Sequence, residues 1–411
     1  WLKAQAIFSR WQRRRQSRFD RARFGVPVRV PNVIPGAMSC CWGRDDVWKP
    51  VSKDSPFDKD MIEGCTKVLK SGKVFRNNPA VVRRRRLEGV MGIVVQHAEE
   101  LFEKAREQGP MGHQVMEKPD PEAFNFTKAD EKEKMADIKL NPPGQSDAVN
   151  VTVLASTSPV CKHHVVFVPR CDELLPQHMT EETLLYGLCI LAKSTRLDFR
   201  LLFDSLGSCV TTNHFNYQGL YLNTTGLKDG RFPLETVERT VIAGDFTQGK
   251  VAIELMLETT WYVRGFIIVG GGKAGDTAVF PKADIQTMVV VAAHLIQLLQ
   301  GMNIPHTVIL APANLPRLPK NVTIEAAVNG SVEDLHCPMS PEIFILPRRP
   351  VDLSVTTGAA GCELGGLILS RSEQNYTDLT EPMVKGFYNQ NVSCEGQIFD
   401  ELLCKAAWLS Q

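Results

Sequence analysis

No two cysteines in this chain are spaced Cys-X-X-Cys, although there are 11 of them in 411 residues. That absence removes the common zinc and thioredoxin-type signatures. Scattered thiols, with only Cys40 and Cys41 adjacent, do not form a disulfide framework either. There is also no apolar run of the roughly 20 residues that a membrane-spanning helix requires. The longest, near residues 289–299, is short and is interrupted by His294. Charge of one sign is not in excess: 47 Lys and Arg stand against 46 Asp and Glu. The average surface therefore announces neither a nucleic acid nor a membrane. Residues 1–30 lack the apolar centre of a secretory signal. The phosphate-loop pattern is incomplete, because Gly270-Gly271-Gly272-Lys273 is followed by Ala274, so this stretch is read as a turn. What is present is an ordinary folded composition, 43% hydrophobic and 23% charged, long enough for two or three domain-sized cores.

The charge is unevenly placed. Lys3, Arg10, Arg13, Arg14, Arg15, Arg18, Arg21 and Arg23 are opposed only by Asp20 at the start of the chain. The chain begins at Trp1, and an Arg-rich, acid-poor, Ser-containing start resembles an organelle-targeting segment or its remnant. Organellar residence is the expectation, mitochondrial ahead of chloroplast, with the cytoplasm as the alternative. Such a tail cannot order itself through an apolar core. It is expected to be held by other protein subunits of a large assembly, or by RNA or anionic lipid through Arg13, Arg14 and Arg15. A second basic run, Arg83 to Arg86, is read as a solvated face, with RNA or an acidic protein face as the other option.

Residues 1–56 form a basic extension whose Pro27, Pro31 and Pro35 favour an extended path. Beyond it, residues 90–96, 148–156, 163–170, 199–207, 214–222, 250–260, 261–271, 306–312, 341–349 and 365–372 have the β-branched or alternating character of strands. Helices are expected over 97–109, from Thr180 with its following acids, and from Asp284 to Gln300. The order strands, helix, strands, helix, strands indicates an α+β fold of mainly antiparallel sheet with packed helices. Two related halves follow the extension, 57–240 and 241–411.

The run Asn213-His214-Phe215-Asn216-Tyr217-Gln218 draws attention. On a strand, a period of two puts His214, Asn216 and Gln218 on one face, where they could address a single phosphate. A histidine at 216 would make a nucleophile; an asparagine does not. His163 and His164 are adjacent, so only one of them can face such a site. Neither metal-ligand nor catalytic-triad spacing occurs, and no cofactor is expected.

Residues 123–128, 163–170, 204–222, 261–271, 303–312 and 342–350 follow one another as in the GDP-hexose phosphorylases, the GDP-L-galactose and GDP-D-glucose phosphorylases of the histidine-triad superfamily. The resemblance runs from about 57 to 405. It implies a two-step reaction: a histidine attacks the α-phosphorus of a GDP-sugar, and phosphate then takes the guanylyl group as GDP. It also implies a motif His-X-His-X-Gln, of which this chain has His214, Asn216 and Gln218. Phe126, Lys128, Asp204 and Arg264 fall at positions that the resemblance suggests for nucleotide binding. Other departures accompany Asn216. Asp204 replaces an asparagine, Leu367 replaces a late histidine, and an insertion follows Asn150-Val151-Thr152-Val153. The expectation is a catalytically degenerate relative serving as a structural or accessory subunit of a respiratory, photosynthetic, ATP synthase or mitoribosomal complex. An active or altered GDP-sugar phosphorylase, or a nucleotide sensor without turnover, remains the alternative, with residual guanine nucleotide as a possible ligand.

Overall fold

Two opposed apolar faces on alternating strand residues dictate a sheet with packing on both sides, complete on one and partial on the other. The computed structural model describes residues 54–103, 114–244, 251–270, 285–312, 341–350 and 359–408, apart from Lys73, Arg76 and Ala80. All of these fall in the unit Cys40–Gln411. The basic tail, most of the Gly270–Lys273 turn, Asp284 and the end of the helix expected over 97–109 lie outside the described residues.

In chain order, helix α1 (Pro56–Ser71) leads to β1 (Arg84–Arg86), β2 (Val94–His97) and the short α2 (Glu99–Glu103). Strands β3 (Lys134–Leu140), β4 (Val149–Ala155) and β5 (His164–Pro169) precede α3 (Glu181–Lys193), then β6 (Phe199–Asp204) and β7 (Tyr217–Tyr221). Next come β8 (Arg239–Ala243), β9 (Ala252–Met256), β10 (Gly265–Val269), α4 (Ile285–Gly301), β11 (His306–Ala311) and β12 (Glu342–Pro347). The chain closes with α5 (Gly361–Gly365), β13 (Leu367–Ser370), α6 (Glu373–Asp378), α7 (Glu381–Asn391) and α8 (Gly396–Trp408).

Strands β3 to β12 make one sheet in the order β3-β4-β5-β7-β6-β11-β12-β10-β9-β8. The same arrangement occurs twice: β3-β4-β5-β7-β6 is followed by β8-β9-β10-β12-β11 read from the other edge. In each repeat a helix connects the third strand to the fourth, α3 in the first and α4 in the second. The repeats join where β6 pairs antiparallel with β11, with Asp204 opposite Thr307. The boundary expected at 240/241 falls inside β8. A small second sheet, β1-β2-β13, draws strands from both sides of that boundary, and its β2–β13 pair is parallel.

One face of the large sheet packs on the helices. Phe167, Phe199, Leu201, Phe203, Tyr217, Ile268 and Ile345 of the sheet share one buried cluster with Leu184 and Leu188 of α3 and Leu295 and Leu299 of α4. Each such side chain contributes about 1.5–3 kcal/mol when fully buried. Thr180 caps α3 reciprocally with Thr183, which places the helix start where the sequence indicates. At Gly187 a Cβ would meet Leu310 and Tyr217 at 2.7 Å, so the missing side chain lets α3 sit close on the sheet.

Several elements differ from expectation. The strand expected from 90 begins only at Val94, because the N–H groups of Val90 and Met91 donate to the Glu381 carboxylate (3.0 and 2.8 Å) instead of a ladder. Residues 261–263 are buried loop, with Trp261 donating to Leu364 O at 3.0 Å. The arginine run is not a free face: Arg84 donates to Gln96 (2.7 Å), Arg85 to the carbonyls of Tyr376, Thr377 and Leu379, and Arg83 pairs with Glu373. No described helix is long and apolar enough to cross a membrane.

Candidate functional site

On the sheet face away from α3, the first repeat is left open. Val165 and Phe167 point into the helical core, and Val166 points the other way; Leu201 and Phe203 alternate with Leu202 in the same manner. The result is a cleft of about 330 Å³ whose floor carries His164, Leu202, Gln218 and Leu220, with Phe126 and Glu363 in its walls.

A chain of hydrogen bonds runs behind this floor. Val160 N–H donates to His164 Nδ1 (3.3 Å), so the ring proton sits on Nε2, which donates to Gln218 Oε1 (2.8 Å). Gln218 Nε2 donates to Asn216 Oδ1 (2.5 Å). Asn216 Nδ2 donates to His214 O (2.9 Å) and to Gln177 Oε1 (3.2 Å), and Gln177 Nε2 donates to Asp204 O (2.9 Å). A backbone donor at one end and a backbone acceptor at the other fix the direction of every amide. Burial holds the His164 imidazole down to about 4, so it is neutral at physiological pH.

The motif does not lie wholly on a strand. Strand β7 starts at Tyr217, so of the three motif residues only Gln218 belongs to it. Upstream, Phe215 N–H donates to Leu175 O (2.6 Å) and Asn216 N–H to Gln177 Oε1 (3.0 Å), so a neighbouring loop replaces the ladder. His214 is fully buried and does not line the cleft. Its Nδ1 accepts from Phe126 N–H (3.0 Å), and its ring lies 5.5 Å from that of Phe126. It therefore holds a cleft wall in place. Burial depresses its imidazole to about 4.

Two expected ligand residues stand elsewhere. Lys128 spends its ammonium on the carbonyls of Pro121, Glu122 and Ala123 (2.6–3.0 Å) and does not line the cleft. Arg264 precedes β10 in the second repeat, pairs with Glu258 (2.7 Å) and lies over the Phe399 ring. Phe126, Asp204 and Gln218 do line the cleft. Leu367 is buried in the small sheet, paired with Val94.

The carboxylate of Asp204 is not free to meet a ligand. One oxygen accepts from Thr307 Oγ1 across the β6–β11 seam, and the other accepts from Gly361 N–H (3.1 Å). Burial raises its pKa, and those donors oppose the rise. Glu363 is 1% exposed and accepts one thiol hydrogen bond, from Cys362 (3.0 Å). Burial pushes its carboxyl up to about 7.

Sequence reasoning missed Gln177, the cleft role of His164, Glu363, and the turn between β4 and β5. Strand β4 continues to Ala155. The return to β5 therefore runs through Ser156-Thr157-Ser158-Pro159, three of which line the cleft. A turn signal was present in the Ser158-Pro159 pair ahead of His164.

A doubled five-strand repeat, with a His-X-Asn-X-Gln run behind a cleft on the first, is a histidine-triad-like arrangement. Crystal structures of yeast Ap4A phosphorylase Apa2 share it: the complex with AMP aligns over 83% of this chain and 98% of that chain, with a TM-score of 0.50 at 13% identity. In sequence the chain is similar to the GDP-hexose phosphorylases. A family model described as GDPGP1-like, N-terminal domain, matches residues 57–220. GDP-L-galactose phosphorylase 2 of Arabidopsis thaliana is 28% identical over 218 residues, 50% of this chain and 48% of that protein. GDP-D-glucose phosphorylase 1 of Danio rerio is 23% identical over 350 residues, covering 84% and 88%. The chain thus matches about half the length of the Arabidopsis relatives.

Proposed function

We propose that this chain keeps the cleft of a GDP-hexose phosphorylase without its chemistry, and serves as a structural or accessory subunit of a large organellar assembly. The observation that supports this reading is Asn216. A histidine there would offer a ring lone pair able to form a phosphoramidate; a carboxamide nitrogen is delocalised into its carbonyl and attacks nothing. Both of its hydrogens are engaged, by His214 O and Gln177 Oε1. The two nearby imidazoles do not substitute, since His164 and His214 each accept a backbone N–H at Nδ1 and carry their proton on Nε2. The basic start of the chain suits docking on an acidic partner surface or RNA phosphates. Respiratory, photosynthetic, ATP synthase and mitoribosomal assemblies all fit.

The test is a covalent trap. GDP-glucose labelled at the α-phosphate is incubated with the native chain and with Asn216→His, and denatured protein is examined for label. The native chain stays unlabelled and the variant gains label. Labelling of the native chain at a rate like that of its relatives, or its migration in native extracts as a free monomer or dimer, overturns the proposal. A second reading, nucleotide binding without turnover, is favoured by the cleft itself. Calorimetry with GDP at millimolar concentration tests it, and absence of heat rejects it.

A further inference from the structure

Two carboxyls, the half-buried Asp204 and the buried Glu363, share one wall of the cleft, and their surroundings differ. Asp204 has a donor on each oxygen, the Thr307 hydroxyl and the Gly361 N–H, which oppose the rise that burial causes. Glu363 receives one thiol donor, Cys362 Sγ at 3.0 Å, with further help from backbone N–H groups at the start of α5. A thiol is a weak donor, so of the pair it is Glu363 that can take up a proton. The groups facing it are Cys362 on its own turn, Asp204 from β6, Cys209 from the loop after β6, Tyr262 from the loop before β10 and Tyr388 from α7. Arg348, after β12, acts on Asp204 and Cys209. Glu133, His164 and Arg371 also line the cleft.

We propose that Glu363 sets, by its charge, whether the cleft admits a phosphate-bearing ligand. Protonated, its hydroxyl donates to a phosphate oxygen; ionised, it adds a negative charge to a wall that already carries Asp204 and repels the ligand. Burial, which pushes this carboxyl up to about 7, brings the change into the physiological range. The proposal rests on reading the cleft as a retained nucleotide site, and its failure is separable from failure of the non-catalytic reading, which the covalent trap decides.

The probe is GDP-glucose, whose two phosphate esters keep the same charge across the titration. By calorimetry, its affinity for the native chain falls about tenfold between pH about 6 and about 8, the change expected for one group that ionises about a unit below the upper pH. Glu363→Gln, neutral throughout, binds equally at both. An equal fall in native and variant proteins, or no binding at either pH, overturns the proposal. A readout on the native chain alone guards against misfolding of the variant. Binding at pH about 8, measured in buffers of different ionisation enthalpy, takes up close to one proton per ligand; uptake near zero overturns the proposal as well.

Discussion

Gln177 and Asn216 are locked together: Gln177 Oε1 accepts both the backbone N–H (3.0 Å) and the side-chain Nδ2 (3.2 Å) of Asn216. Gln177 is 1% exposed, and its own Nε2 reaches Asp204 O. Replacing it by leucine removes the acceptor for two buried donors and the donor for one carbonyl. The expected loss is about 2–4 kcal/mol, seen as a lower urea midpoint. A change under about 0.5 kcal/mol would show that the lock does not hold the motif.

The groups around Asn216 are those an imidazole needs. A ring at 216 can place its Nδ1–H where Nδ2 lies, donating to His214 O or Gln177 Oε1. Asn216→His is therefore expected to fold, with stability within about 2 kcal/mol of the native chain, the usual range for a modest core enlargement. Thermal unfolding checks this; loss of a cooperative transition would mean that the space has closed.

The pH dependence of stability has a definite sign. His164 and His306 are buried, and both imidazoles are pushed from 6.5 down to about 4. The fold then binds fewer protons than the unfolded chain between those values. Their contribution is complete above pH about 6.5 and lost as pH falls toward 4, on the order of 2–3 kcal/mol each. Glu363, raised from 4.5 to about 7, acts in the opposite sense: its contribution is full below its unfolded value and lost as pH rises through about 7. His163 and His214, also held down to about 4, add to the histidine side. The urea midpoint is expected to fall steadily from pH about 6.5 to 4.5, and His306→Gln to flatten part of that fall. A midpoint unchanged over this range would contradict the assignment.

Arg200 and Glu235 form an ion pair at 2.7–2.8 Å, with side chains 1% and 0% exposed. Arg200→Met leaves the buried carboxylate without its guanidinium and is expected to cost about 3–5 kcal/mol. The double change Arg200→Met with Glu235→Leu recovers most of it. Chemical denaturation of both variants measures the difference; equal losses would place the stability in packing rather than charge.

The inner strands and α3 were legible because β4, β5, β11 and β12 are nearly continuous β-branched and aliphatic runs. Edge strands were not. Lys134, Asp137 and Lys139 in β3 stand where one side of the strand meets water, and the arginines of β1 look like a charged loop. Helix α1 carries clear local signals, a Ser55 cap, Pro56 and Gly72, yet its sparse apolar residues disguised it. At the site, spacing revealed His214, Asn216 and Gln218. It misplaced the first two on a strand, because the loop that takes over their backbone bonds lies some 40 residues earlier in the chain, as for Asn216 and Gln177. Glu363 and His164 acquire their places only by folding: one arrives from the second repeat's far end, the other from the neighbouring strand. No local pattern records such a meeting.

The seam between β6 and β11 pairs four positions on each strand. Neither repeat owns a finished border there; each hides a row of N–H and C=O groups that, if exposed, would template pairing with any passing chain. Severed from its sibling, the repeat that carries the cleft would have to find a substitute neighbour, so the repeat with no cleft residues in its five strands is what keeps the other from sticking to copies of itself.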